Sequence, residues 1–328
     1  SRLGDLYFKI DLHKLNPYDE IIESYLSFCA IVLSWKRDIK NQNNESIKEE
    51  LVKHTAKVFR KMMFIEAAKN ATLLLANVDH ETSKRGLLDS FYNQNKQYIS
   101  HPDELEFTIL KILGGVRKMN ASMLNKNTSE ILEDLKVIIF ELMKNTDDWA
   151  KDDHLGKLLL PNIRAIYVKY HKNFQTNFVE YSEGNNGLTN YLKHKVFKQN
   201  RLKQIYFLEI TVVDSGPGFV KRFLGKNYNN PTLRQQIDVI KNCLVKNSTS
   251  SIEAYKKKGQ GLDRILECID KKGFIYIKTN SVAVYRDLVI DNYKPGAKID
   301  DVQLYDWKTC KSDQFTETLP TEGSLVSI

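Results

Sequence analysis

Hydrophobic positions fall into two regimes along the chain. Up to about residue 118 they recur mostly at helical spacing. Ile21–Trp35 and Ser46–Leu73 each carry an apolar stripe, with Leu51, Val58, Met62, Ile65 and Leu73 on the second. A strand-like run, Leu6–Leu12, precedes them, and Asn41–Glu45 is a polar break between them. Asp103–Leu113 predicts another short helix, ended by Gly114-Gly115. From residue 128 the pattern changes. Thr128–Ala150 contains no Gly or Pro and predicts a long helix, with Asn127-Thr128-Ser129-Glu130 offering capping side chains. Ile163–Lys169 and the β-branched, aromatic run Ile205–Val213 predict strands. Between them Asn173–Asn190, polar and rich in Gly and Asn, reads as a loop or insertion. Val220–Lys258 is a long connection holding one helix, about Leu233–Val245, and Leu262–Ile269 is a short helix. Phe274–Thr279 and Ser281–Asp287 read as strands paired around Asn280, and Gly323–Ile328 as a last strand.

This order predicts an α+β chain. Residues 119–328 would form a two-layer α/β sandwich with helices on one face. Residues 1–118 would form a mainly helical domain with a regulatory or partner-binding role.

Composition narrows the classes. Of the 328 residues, 42% are hydrophobic and 27% charged, the balance of a soluble globular protein. The best apolar runs, Ala30–Trp35 and Val137–Phe140, are core-sized, so no membrane partner is expected. Ser1–Asp11 lacks the basic-then-apolar pattern of a signal peptide, which makes the cytoplasm the expected location. Cys29, Cys243, Cys268 and Cys310 are scattered, with no CxxC or His/Cys cluster, against both a zinc site and a disulfide framework. The net charge is +8, with lysines gathered in Lys193–Lys203 and Lys256–Lys258. These stretches lack interleaved aromatics, so a solvated basic face is favoured over nucleic-acid binding. Basic residues around a polyphosphate are a third reading.

Three motifs bear on that third reading. In Glu141-Leu142-Met143-Lys144-Asn145-Thr146-Asp147-Asp148-Trp149-Ala150, helical spacing projects Glu141, Asn145 and Asp148 from one face. An Asn amide oxygen suits Mg²⁺, and a carboxylate one turn earlier can reach a water beside a terminal phosphate. The bland reading is an ordinary polar helix face. Asp214-Ser215-Gly216-Pro217-Gly218-Phe219 follows the Ile205–Val213 strand directly. Its glycines allow close approach of a ligand, and a carboxylate there can accept a hydrogen bond from an exocyclic amine; an ordinary strand-ending turn uses the same residues. Lys256-Lys257-Lys258-Gly259-Gln260-Gly261-Leu262 opens the 262–269 helix, where backbone N–H groups and the helix dipole favour an anion. Alone, a GxG is only a flexible turn.

In order, spacing and context, the three resemble the GHKL superfamily of gyrase-type topoisomerases, ninety-kilodalton heat-shock chaperones, mismatch-repair ATPases and histidine kinases. Glu141-Leu142-x-x-Asn145-x-x-Asp148-x-Ala150 resembles the N box, Asp214-x-Gly216-x-Gly218 the first glycine box, and Gly259-x-Gly261-Leu262 the second. Thr279 is similar to the family's Thr near the adenine, and Gly323-Ser324-Leu325-Val326 to the last strand of the fold. The resemblance covers residues 119–328 and implies a Bergerat ATP-binding fold with a lid at about 220–258. It implies Mg²⁺ held by Asn145, and phosphates cradled by Lys258, Gly259 and the lid amides.

Asp148 stands where histidine kinases usually carry Lys or Arg, and Glu141 stands where the hydrolysing branch places its general base. The motif therefore resembles an ATPase more than a kinase. The following domain that supplies a catalytic Lys in gyrase-like enzymes is not recognisable here, which implies slow hydrolysis, or hydrolysis that depends on a homodimer or a protein partner. The lysine-, asparagine- and isoleucine-rich composition suggests a bacterial stand-alone or multigene-system ATPase. Two alternatives stay open: phosphotransfer through His80, whose following Ser83-Lys84-Arg85-Gly86 departs from an H box, and a non-hydrolysing ATP sensor. His54, His101 and His171 have no supporting context.

Overall fold

The β-branched run around Ile205–Val213 becomes an inner strand of a sheet wider than the predicted strands alone would build. The computed structural model describes residues 4–11, 13, 16–79, 86–117, 126–245 and 261–328. The chain opens with β1 (Leu6–Phe8), α1 (Pro17–Glu23), α2 (Tyr25–Leu33), β2 (Ile39–Asn41) and α3 (Lys48–Met63). β1 and β2 pair in parallel as a small separate sheet. Then come β3 (Thr72–Val78), a 3₁₀ turn at Pro102–Leu105, and α4 (Glu106–Arg117). α5 (Lys126–Trp149) leads into β4 (Ile163–Phe174), α6 (Gln175–Tyr181), α7 (Asn186–Leu192) and β5 (Gln204–Asp214). α8 (Gly218–Leu224), α9 (Leu233–Leu244) and α10 (Gly261–Cys268) precede β6 (Phe274–Asn280), β7 (Val282–Asp287), β8 (Tyr305–Asp306) and β9 (Thr321–Ser327).

The main sheet has seven strands in the order β3-β4-β5-β9-β6-β7-β8, every pair antiparallel. Its register places Ile166, Val212, Val326, Ile277 and Val284 side by side across five strands. All five are buried in the main core with Leu135, Ile138, Ile139 and Leu142 of α5, Ile265 and Leu266 of α10, and Ile237 and Ile240 of α9. β6 and β7 close through a two-residue turn at Asn280-Ser281, where Asn280 takes a positive φ of 45°. The chain is thus mixed α/β with a large antiparallel sheet.

Several elements differ from the expectation. The apolar stripe assigned to one helix as far as Leu73 ends at Met63, and Thr72–Val78 is an edge strand paired with β4 from Thr72↔Lys169 to Val78↔Ile163. A short continuous apolar run such as Leu73-Leu74-Leu75-Ala76 carries no period that separates helix from strand. The sheet therefore crosses the expected division at residue 118. α4 runs through Gly114-Gly115, and Gly115 packs so closely on Ala68 that a Cβ there would lie 2.9 Å from the alanine Cβ. α5 begins at Lys126, two residues before the expected start, so Asn127–Ser129 fall within its range. Asn173–Asn190 is no loop: it ends β4 and then forms α6 and α7, with Asn185 capping α7 by accepting the Leu188 N–H at 2.9 Å. The connection after β5 holds a second helix, α8.

Helices also do not keep to one face. Tyr167, on the opposite side of β4 from Ile166, meets Tyr25 of α2 with ring centroids 5.6 Å apart. On that same side Tyr191 and Leu192 of α7 cluster with Phe274 and Tyr285. The back of the sheet is covered at both ends. Among the described residues no helix is long and apolar enough to cross a membrane.

Candidate functional site

The front of the sheet carries a cleft of about 900 Å³, its open mouth included, between β5, β9 and the helices α5, α8, α9 and α10. Apolar side chains of Leu142, Val212, Leu262 and Val326 form part of its wall. Into the same space come Asn145 from α5, Asp214 and Gly218 from the turn after β5, and Gly261 from the start of α10. Three sequence motifs that together span 116 positions, from Asn145 to Gly261, thus converge on one cavity.

The cleft runs along α5. At one end Gly261 stands so close to Glu141 and Asn145 that an added Cβ would lie 2.8 Å from Glu141 Oε2 and 3.5 Å from the Asn145 amide atoms. At the other end Gly216 lies against Ala150, an added Cβ falling 2.6 Å from its Cα. Glu141 and Ala150, just past the end of α5, are nine positions apart, about 13 Å along the helix axis. Among the described residues, the Asn145 carboxamide makes no hydrogen bond, although it sits in the cavity wall.

Glu141 is nearly buried, at 8% exposure, and forms an ion pair with Arg264 of α10. Burial holds its carboxyl above the ordinary glutamate range, with Arg264 and then Lys144 opposing the shift. A buried carboxylate with a raised pKa is a better proton acceptor than an exposed one. Its neighbours along α5 are occupied differently. Asp147 is tied to Arg164 and Lys151, and Asp148 pairs with Lys144 Nζ at 3.1 Å; like Glu141, neither is part of the cavity wall. Helical spacing placed Asp148 on the face of Glu141 and Asn145; in the fold a lysine one turn back engages its carboxylate.

The Asp214 turn is pinned from behind. Gly216 donates its N–H to Asp214 Oδ1 at 2.8 Å, and the Phe219 N–H donates to Thr279 Oγ1 at 3.1 Å. Thr279 has 0% exposure and stands one layer behind the cavity wall, supporting the turn. Gly218 has φ +76°, and an added Cβ would fall 2.6 Å from Thr279 Oγ1. Gly323, at φ +81°, passes the Asp214 carbonyl so closely that a Cβ would lie 1.9 Å from its oxygen. Gly323→Ala should therefore displace Asp214 and cost about 1–3 kcal/mol from the backbone conformation alone. Thermal unfolding would show a lowered midpoint; an unchanged one would mean the turn tolerates the move.

Trp149, Phe223, Arg222 and Cys243 are four of the wall residues outside the predicted site set. Trp149 and Phe223 bring aromatic surface, and Arg222 lies over the Trp149 ring at 5.1 Å while donating to the Asp153 carbonyl at 3.0 Å. Trp149 sits inside the first motif and was legible there as the residue before Ala150; Phe223 and Arg222 needed α8, which the sequence did not announce. Cys243 is the fourth; burial pushes its thiol up to about 12, so it acts as apolar wall. Of the expected second glycine box, Gly261 and Leu262 line the cleft, while Lys258 and Gly259 lie outside the described residues, as does His80.

Compared with protein-family models, curated proteins and solved structures, the chain matches none.

Proposed function

We propose that the cleft binds ATP with Mg²⁺ in the manner of a GHKL domain, on a Bergerat-type sandwich, and hydrolyses it slowly. The observation that carries this reading is the convergence of Asn145, Asp214, Gly218 and Gly261 on one cavity, with Glu141 at the end where α5 meets α10. The wall fits the ligand. Apolar and aromatic side chains suit a purine, a carboxylate suits its exocyclic amine, and the start of a helix suits phosphate oxygens. Asn145 would hold Mg²⁺ through its amide oxygen, and the bound ion would offset phosphate charge.

The chain's own residues then do the following. Asp214, braced by the Gly216 N–H, accepts from the base amine and fixes the ring. Leu142, Leu262 and Val326 keep water from the ring face. Glu141 accepts a proton from a water aligned with the terminal phosphorus. The new P–O bond forms as the bond to the β-phosphate oxygen breaks, releasing ADP and inorganic phosphate. Work coupled to the cycle would pass to a homodimer or protein partner.

Asp214→Asn and Asn145→Ala test the binding step. Each should weaken Mg-ATP binding by roughly 10–100-fold, the worth of a hydrogen bond to a charged group or an ion contact. Calorimetric titration reads this directly. Unchanged affinity in both variants would remove the nucleotide reading.

A further inference from the structure

Arg264 has no place in the three motifs, yet it is the residue engaged with Glu141. Its Nη1 pairs with Glu141 Oε1 across the junction of α5 and α10. Its side chain remains 42% exposed, one helical turn beyond Gly261. The start of α10 lies against Glu141, since a Cβ at Gly261 would crowd Glu141 Oε2 at 2.8 Å. A guanidinium carries five N–H donors in a fixed fork. Among the described residues, Glu141 is the one hydrogen-bond acceptor Arg264 has. Arg264 lies outside the cavity wall, at the α5–α10 junction beside Gly261, the wall residue at the phosphate end of the proposed nucleotide site.

This arrangement has an electrostatic consequence. The guanidinium opposes the rise that burial gives the Glu141 carboxyl, so the paired carboxylate is a weaker proton acceptor than the same carboxylate released from it. A terminal phosphate carries more charge than one carboxylate and matches the guanidinium fork in two-point contact. We propose that Arg264 is a sensor of the terminal phosphate: it holds Glu141 while the site is empty or filled by a diphosphate, and transfers to the terminal phosphate of a bound triphosphate, leaving Glu141 free to take a proton from water. This inference rests on the nucleotide reading of the cleft. It adds that reading's discrimination between triphosphate and diphosphate, and the control of its base.

The test compares Mg-ADP with the Mg complex of a non-hydrolysable ATP analogue, bridged by nitrogen between the β- and γ-phosphorus. Titration calorimetry on wild type, Arg264→Gln and Arg264→Lys gives both affinities. Arg264→Gln should weaken the triphosphate analogue by roughly 10–100-fold, the worth of charge-assisted hydrogen bonds, and leave Mg-ADP within about threefold. Arg264→Lys should fall between, because it keeps the charge and loses the fork. Equal losses for both nucleotides would make Arg264 a structural prop and overturn the proposal; so would an unchanged affinity ratio. A wild type that binds neither nucleotide would overturn the nucleotide reading itself. Wild-type binding of both, with an unchanged ratio in Arg264→Gln, removes only the sensor. Thermal melting of each variant checks the fold, and the half-exposed position of Arg264 makes a folding defect unexpected.

Discussion

Glu141→Gln should leave Mg-ATP binding within about threefold while lowering phosphate release by roughly 10²–10⁴-fold, the range that loss of a positioned general base produces. The amide keeps the side-chain shape beside Gly261 and cannot accept the water's proton. Two further readouts follow from the environment of Glu141. Burial raises its pKa, against Arg264 and Lys144, so phosphate release should fall on the acid side at a pH above the ordinary glutamate range. Stability should move the other way. A carboxyl whose folded pKa exceeds its unfolded value favours the folded state only when protonated. Its ionised form subtracts stability, progressively as pH rises from the unfolded pKa through the folded one. Glu141→Gln removes that penalty, so at neutral pH the variant should unfold at the same or a higher temperature, a gain of about 0.5–2 kcal/mol at most. The difference should vanish below the unfolded pKa of 4.5. Phosphate release equal and negligible in both proteins, with binding intact, would turn the assignment into a non-hydrolysing ATP sensor.

The candidate site was more legible in the sequence than the fold around it, for a physical reason. Asp214-x-Gly216-x-Gly218 follows a strand whose β-branched composition marks it without ambiguity, so its direction and exit point could be placed from residues alone. Glu141 and Asn145 share a helix with no breaker, so spacing sufficed to put both on one face. The hairpin around Asn280 was readable because a two-residue turn leaves little choice of register. What stayed hidden was decided by tertiary context. β3 is a half-turn of leucines that only its partner β4 makes a strand. α6 and α7 look polar because Asn173, Asn177, Asn185, Asn186 and Asn190 punctuate them, Asn185 as the cap of α7, while Phe178 and Tyr191 find their burial on the back of the sheet. Arg264 could not be selected because its significance lies in a residue 123 positions away. Periodicity reports an element's own faces; it does not report which distant charge will meet them.

That limit applies most strongly to Arg164, whose replacement should be the most damaging change in the molecule. It lies on β4 with 0% exposure, and its charge is met from three directions. Asp79, at the end of β3, takes a two-point contact at 2.9 and 2.5 Å. Asp147 of α5 accepts at 3.0 Å, and the Tyr92 hydroxyl accepts from Nη1 at 2.6 Å and donates to the same aspartate at 2.5 Å. Burial pushes the Asp147 carboxyl up, but Arg164, Lys151 and Tyr92 together pull it below the ordinary range. Its stabilising contribution is therefore present above the unfolded pKa of 3.8 and is lost as pH falls through the lower folded value. Arg164→Met leaves the largely buried Asp79 without its cation and Asp147 with Lys151 alone, and should destabilise by about 3–5 kcal/mol. In that variant burial acts on Asp147 with much of its opposition gone, so its folded pKa should rise and the penalty should shrink as pH falls towards 4. Adding Asp79→Asn and Asp147→Asn should recover most of the loss at neutral pH, because a buried ionic cluster replaced as a whole is often neutral. Urea unfolding at pH 7 and near pH 4 measures both effects. Since Asp147 is two residues from Asn145 on α5, nucleotide affinity should decline in Arg164→Met and return in the triple variant. A stability loss that ignores pH would mean that packing around the arginine, and not its charge, holds the N-terminal edge of the sheet to the helix that carries the site.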